Sequence, residues 1–341
     1  MNFIEFTRTI KESVSDEALL KVLRTLALTP RILNLYDDEK FAPIHWTMFK
    51  RFSESSKYLI EKGADINIRV LSNNNYGWTP IAYAVATNNL EMVEYLLEKG
   101  PNMEIDTFLV EQCNILAIFF GQKDDNIERR FEILFVGHDD YRFFDADQLK
   151  NQLKQAELDD LLKTLREEHI IQVKILKLLL DTKGVDVNIR NSNGNMAFIS
   201  TPGRTYSLSY ELFYPPENEK ATEQLKPLRD EVYKNDVELF TIMARAGLVL
   251  PTIDKRGNIP LERVIDSGNL EMIKLYLLLN QDPNNEDYYR NNLANYALHI
   301  KFVHIYEYLK SFDRSLKFEA MRSIFSNGVD ISLIPDTLKN F

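Results

Sequence analysis

Apolar residues recur at three- and four-residue spacing along most of this chain. Leu90, Val93, Leu96 and Leu97 fall on one face of a predicted helix, and Ile81, Ala84 and Val85 line a shorter helix just before it. Thr79 stands where it can cap that shorter helix, and Pro80 sits in its first turn, where no amide hydrogen is needed. Small Ala84 admits a neighbouring helix, and Gly100 ends the second helix in a conformation glycine adopts cheaply. The same design returns later. Asn89-Leu-Glu-Met92 reappears as Asn269-Leu-Glu-Met272, each after a Pro-led apolar stretch and before a Leu/Tyr-rich helix. Leu176, Leu179, Leu261, Val264, Leu270 and Ile273 repeat the helical spacing in matched register, so they join the predicted core. Self-similarity of this kind predicts an all-α repeat array, with strands confined to short hairpins or absent.

Further copies fall into the same frame. Ala42-Pro-Ile-His45 precedes Tyr58-Leu-Ile-Glu-Lys-Gly-Ala-Asp-Ile-Asn67, and Lys174 to Asn188 repeats the second helix and its turn. Asn193 opens another copy whose second helix begins at Val237, Asp254 to Pro283 holds the next, and Asn292 to Leu309 a worn one. A degenerate copy is expected over Cys113–Val136. With its turn glycine, Thr-Pro, paired helices and closing glycine, the stretch 77–103 resembles an ankyrin repeat, and the resemblance covers most of 37–312. It implies a solenoid of six or seven helix-turn-helix units with helical caps, in which His45 stabilises its own turn by hydrogen bonding.

Two regions exceed the length of that repeat. Residues 137–168 are helical in period, and residues 200–235 begin with the aromatic, Pro-broken stretch Thr205–Pro216 before the charged, helical run Glu217–Lys234. The expected organisation is a helical cap at 1–36 and repeats at 37–136. A helical insertion at 137–168 comes next, then repeats at 169–312 carrying the aromatic insertion, and a helical cap and tail at 313–341. Ser13-Val-Ser-Asp16 fits a capping box for a helix over Ala18–Leu28, with Pro30 breaking the chain after it. In the tail, Leu316–Phe325 reads as one more helix.

Charge and composition narrow the function. Against 41 basic residues stand 51 acidic ones, a net charge of −10, which opposes nucleic acid and favours a protein partner with a basic patch. The longest apolar run, Ile115–Phe120, falls far short of the ~20 residues a membrane span needs. The first residues lack the pattern of a secretory signal, and one cysteine excludes an internal disulfide. A cytoplasmic monomer is expected. The Asn-, Lys-, Phe- and Tyr-rich, irregular repeats also resemble ankyrin effectors that intracellular bacteria secrete into the host cytosol.

No phosphate loop, dinucleotide-binding glycine pattern or His-Glu-x-x-His helix is present. Cys113 with His138 invites a nucleophile–base reading, but its place beside an apolar run suits a packed thiol better. His299 and His304 are five apart, the wrong spacing for a metal on one helix face. The chain is therefore expected to be no enzyme and to carry no metal or cofactor. The alternative is an enzyme that modifies a host protein at a site built by the insertions.

The ankyrin resemblance implies a partner-binding concave face of hairpin tips and first-helix edges. In this chain those positions are Glu39, Phe41, Phe49, Lys50, Tyr76, Trp78 and Thr87, then Asn193, Asn195, Lys255, Arg256 and Asn258, and finally Asp266, Tyr288 and Tyr289. Tyr76 and Trp78 are the expected anchors, since interface aromatics carry disproportionate binding energy.

Overall fold

The computed structural model describes residues 2–72, 77–105, 113–116, 119, 155–188, 219–251, 259–279, 281–282 and 292–312. They are helical apart from one two-residue antiparallel pair, β1 (Glu104–Ile105) with β2 (Cys113–Asn114). The chain divides into two compact units. Residues 1–122 and 171–192 form the first, and residues 123–170 and 193–341 the second.

The first unit holds α1 (Phe3–Glu12), α2 (Asp16–Thr25), the single turn α3 (Pro30–Leu33), α4 (Pro43–Phe49), α5 (Ser53–Glu61), α6 (Pro80–Ala86) and α7 (Leu90–Glu98). First helices stack in series, α1 on α4 and α4 on α6, while α2 packs on α5 and α6 on α7. The leading pair α1–α2 is thus docked as the later pairs are, although its sequence lacks the Pro-led motif. A reciprocal box starts α1: Asn2 accepts from the Glu5 amide at 2.8 Å, and Glu5 accepts from the Asn2 amide at 3.0 Å. The box expected at Ser13–Asp16 is absent. Ser13 closes α1 instead, Ser15 alone caps α2 through the Ala18 amide, and α2 ends at Thr25 rather than Leu28. Pro30 does not simply break the chain; it opens α3.

In the second unit, Pro260–Ser267 (α10) and Leu270–Leu278 (α11) make one pair, and Leu293–His299 (α12) and Val303–Ser311 (α13) the next. The first helices α10 and α12 pack together. Two helices of 27 residues depart from the repeat: α8 (Gln155–Asp181) and α9 (Glu219–Arg245). Helix α8 runs through the boundary expected at 168, contributing residues up to 170 to the second unit and the rest to the first. Helix α9 fuses the charged stretch before Lys234 with the second helix expected to begin at Val237, and Pro227 lies inside it without ending it. Within the second unit the two are joined by Arg166 to Glu231 at 2.8 Å and by His169 to Glu238 at 2.9 Å.

Four inter-helix loops share one backbone. Arg51, Asn88, Gly268 and Lys301 have φ of 58°, 53°, 72° and 66°, each followed by a non-helical residue that caps the second helix. Asn89 and Asn269 are those residues in two loops, and there the side chain accepts from the amide of Met92 at 3.3 Å and of Met272 at 3.1 Å. The repeated tetrapeptide is therefore a cap followed by the first buried positions of a helix.

The core is nearly the expected one. Ile81, Ala84, Val93, Leu96, Leu176, Leu179, Leu261, Val264 and Ile273 are buried. Leu90, Leu97 and Leu270 are only half-buried, because Met92, Val93 and Leu96, and likewise Met272 and Ile273, carry the centre of each stripe. Thr79 does not cap α6. Its hydroxyl makes no cap bond, is buried, and has no hydrogen-bond partner. The C-terminal helix expected at Leu316–Phe325, the Cys113–Val136 copy beyond Phe119 and the aromatic stretch Thr205–Pro216 lie outside the described residues.

Candidate functional site

The hairpin tip after α3 is wound around one carboxylate. Asp37 accepts the amides of Glu39 at 3.1 Å and Phe41 at 2.9 Å through one oxygen, and the Asp37 amide donates to the Phe41 carbonyl at 2.9 Å. Lys40 takes φ of 69° to close the turn. The other oxygen of Asp37 accepts the Trp46 indole at 2.9 Å and the Lys11 ammonium at 2.8 Å. Burial pushes this carboxyl up, but Lys11, the Phe41 amide and the Trp46 indole together hold it below the usual carboxylate range.

Side chains from α1, the tip and α4 converge there. Lys11 also bonds Glu39 at 2.6 Å, and its ammonium lies 4.4 Å from the centre of the Trp46 ring. Phe41 packs on Trp46 at 4.9 Å between ring centres, and Phe49 stands edge-on to Trp46 at 6.4 Å. Phe49 keeps 59% of its surface exposed, and Glu39 is exposed as well. The result is an aromatic ledge with a salted rim, fixed in place by the buried Asp37. Next to it, a depression of about 260 Å³ runs between α1 and residues 36–39, lined in part by Ile4, Arg8 and Glu12.

Of the sequence-derived site residues, Glu39, Phe41 and Phe49 are brought together here. Lys50 is near but committed: its ammonium bonds the carbonyls of Lys11 and Ser13, the latter at 2.8 Å, at the C-terminal end of α1. Trp78 is half-buried, its ring edge-on to Tyr83 at 5.1 Å, while its carbonyl accepts the Val70 amide at 2.9 Å across the second hairpin. Thr87 turns back onto the Tyr83 carbonyl at 2.8 Å. Asp266 belongs to the second unit and accepts the Tyr296 hydroxyl. Tyr76, Asn193, Asn195, Lys255, Arg256, Asn258, Tyr288 and Tyr289 lie outside the described residues.

Sequence reasoning missed Lys11, Asp37 and Trp46. The available signal was Asp37 two residues before Glu39 at a tip, with an indole donor nine positions on. Lys11 had none, since α1 lies before the recognised repeats.

His45 occupies the role the resemblance implied. It is fully buried; Nδ1 accepts the Ala42 amide at 3.0 Å, and Nε2 lies 3.1 Å from the Ile68 carbonyl, the position of a donor. Burial outweighs that carbonyl and lowers the imidazole pKa to about 4, so the ring is neutral near pH 7. Among the described residues, no group of three His, Cys, Asp or Glu side chains is placed to hold a metal ion, and no helix is long and apolar enough to cross a membrane.

Comparison with known proteins agrees with this geometry. Residues 14–107 match the family model for ankyrin repeats, in three copies. A 72-residue stretch is 35% identical to the ankyrin repeat, SAM and basic leucine zipper domain-containing protein 1 of Mustela putorius furo, over 20% of this chain and 15% of that protein. The Mus musculus protein of the same name matches to the same extent. A 114-residue stretch is 23% identical to the probable 26S proteasome regulatory subunit p28 of Saccharomyces cerevisiae, over 33% of this chain and 50% of that protein. The chain thus spans half or less of the length of these relatives. Among solved structures, the ankyrin repeat protein EF0377 aligns with a TM-score of 0.44 and 16% identity, covering 81% of this chain and 96% of that one. The sequence similarity to ankyrin repeats is thus concentrated in residues 14–107.

Proposed function

We propose that this chain is a non-catalytic recognition module that binds a protein partner through the face bearing Glu39, Phe41 and Phe49. The single observation that carries this reading is the exposed Phe49 beside a tilted Trp46–Phe41 ring pair whose rim is charged. An apolar aromatic centre with a polar margin is the anatomy of an interface hot spot. A rigid ledge also loses little conformational freedom on binding, and Asp37 supplies that rigidity. Ankyrin repeats in general serve as protein-interaction scaffolds, which supports the reading. Trp78 and Tyr76 remain part of the proposed surface, along with the concave-edge positions of the later repeats.

The test is selection of binding peptides on the full chain, followed by calorimetry. Phe49→Ala should weaken a selected peptide by about 2 kcal/mol with the melting temperature unchanged, because the ring is mostly exposed. Val249→Ser, at an equally exposed apolar residue of the second unit, should leave binding intact. Selected peptides that ignore both changes would move the recognition surface elsewhere. The proposal extends to cytosolic action after delivery by a bacterium, which rests on the compositional resemblance to secreted effectors. A translocation assay with a reporter fusion addresses it directly.

A further inference from the structure

The second unit contains a groove of about 540 Å³ between α9, the loop joining α10 to α11, and the start of α13. Its apolar floor includes Tyr233, Val237, Leu270 and Phe302. The geometry points to this groove as a docking site for a lysine-bearing apolar segment of a protein partner, with the ammonium on Glu271 and the stem along Val237 and Phe302.

In the first unit the chain itself occupies the same framework. Asn89 and Asn269 each cap a second helix, and each reaches back 36 residues with its amide group. Asn89 donates to the Ser53 hydroxyl at 3.0 Å and Asn269 to the Tyr233 carbonyl at 3.3 Å. One turn beyond those partners stand Lys57 and Val237, and two residues beyond the asparagines stand Glu91 and Glu271. In the first unit the Lys57 ammonium bonds Glu91 across the two helices. In the second unit Val237 offers no cation, and among the described residues Glu271 pairs with Lys274 of its own helix at 2.9 Å, its side chain 65% exposed.

Charge on the groove wall agrees with a cationic guest. Asp230, Asp266 and Glu271 line it against Arg229 and Lys234. Each of those cations lies beside a carboxylate of its own helix, Arg229 at 3.6 Å from Asp230 and Lys234 at 3.5 Å from Glu231. A lysine side chain suits the shape better than a bare cation, since its methylene stem covers apolar surface while its head stays polar. This inference concerns a different unit from the aromatic ledge and stands or falls separately from it.

The test is a ligand-observed NMR titration of the full chain with N-acetyl-Leu-Lys-Leu-amide and with the same peptide carrying acetyl-lysine. The expected result is saturable binding of the first peptide and roughly tenfold weaker binding of the second. Glu271→Gln should weaken the lysine peptide by a similar factor. Val237→Lys should block it, because the chain then supplies its own ammonium as it does at Lys57. Absence of saturable binding, equal binding of the two peptides, or full binding by a folded Val237→Lys variant would each overturn the proposal.

Discussion

The two copies of Asn-Leu-Glu-Met show how far a local sequence determines its surroundings. Both fold alike: a left-handed residue, a non-helical asparagine, a side-chain cap on the methionine amide, and a helix whose third and fourth residues turn inward. Beyond that the copies part. Asn88 precedes the first cap and Gly268 the second; Lys57 closes the first copy's flank, whereas Val237 leaves the second open onto a groove. Matching asparagine caps thus sit beside a cross-helix ion pair in one unit and on a groove in the other. The elements packed alongside decide which.

The largest expected difference lies in the left-handed residues. A Cβ at Gly268 would meet the Phe302 ring at 3.0 Å and the Tyr233 hydroxyl at 3.1 Å, on top of its φ of 72°. Gly268→Ala should therefore cost about 2–3 kcal/mol. Asn88→Ala, at φ of 53°, should cost at most about 1 kcal/mol, because Asn88 already bears the left-handed strain and the change removes only asparagine's greater tolerance of that region. Urea unfolding of both variants checks the order; equal losses would mean that Phe302 yields without penalty.

The next separates the units by pH. His45 is buried and neutral with a pKa lowered to about 4, whereas the unfolded chain takes up that proton near 6.5. Its depressed value means stability is present above pH 6.5 and is lost as pH falls toward 4. At pH 5 the loss is about 2 kcal/mol. Protection factors of amides around α4 and α6, corrected for the pH dependence of intrinsic exchange, should fall between pH 7 and pH 5, and a folded His45→Gln variant should lose most of that response. If exchange there is no more pH-sensitive than around α10 and α11, the imidazole does not govern the first unit's acid stability.

A third contrast is internal to the first unit. Ala42-Pro-Ile-His45 carries the histidine without the threonine, and Thr79-Pro-Ile-Ala82 the threonine without the histidine. His45 finds two partners; the Thr79 hydroxyl finds none, although it is buried. Thr79→Val keeps the shape and removes the orphaned group, so thermal unfolding should show stabilisation of up to about 1 kcal/mol. A loss of that size would mean that water or an alternate rotamer satisfies the hydroxyl.

Much of this was legible from residue order alone. The helix pairs, the burial of Ile81, Val93 and Leu96, and the left-handed glycine after α7 follow from spacing and cap chemistry within about forty residues. The Lys11–Asp37–Trp46 cluster was not legible, because it joins a tip to a helix 26 residues upstream that shows no repeat motif. The 27-residue helices were read as separate pieces for a related reason. The repeat register placed the start of a new helix at Val237, yet α9 runs through that point and through Pro227 as well. Across the second unit Arg166–Glu231 and His169–Glu238 link it to α8, contacts 65 and 69 residues apart that no local pattern announces.

The smallest expected effect bears most directly on the two copies. Lys57 bonds Glu91 and, at 3.1 Å, Glu54, with side chains partly exposed to solvent. Glu91 raises the lysine pKa first and Glu54 adds to it, and Lys57 in turn lowers that of Glu91, but water screens such a pair. Lys57→Val should thus cost only about 0.5 kcal/mol, and the difference from the parent should shrink as salt shortens the screening length. Val237→Lys should do the reverse in the second unit, gaining about 0.5 kcal/mol at low salt through Glu271. Its stem would keep the apolar cover that Val237 gives the groove floor. Chemical unfolding of the two exchanges at low and high salt then compares like with like. Opposite signs that both fade with salt would mean the same cross-helix pair can be built on either copy. A Val237→Lys variant destabilised at every salt concentration would mean that the floor of the groove depends on the valine itself, and that the two copies differ in packing as well as in charge.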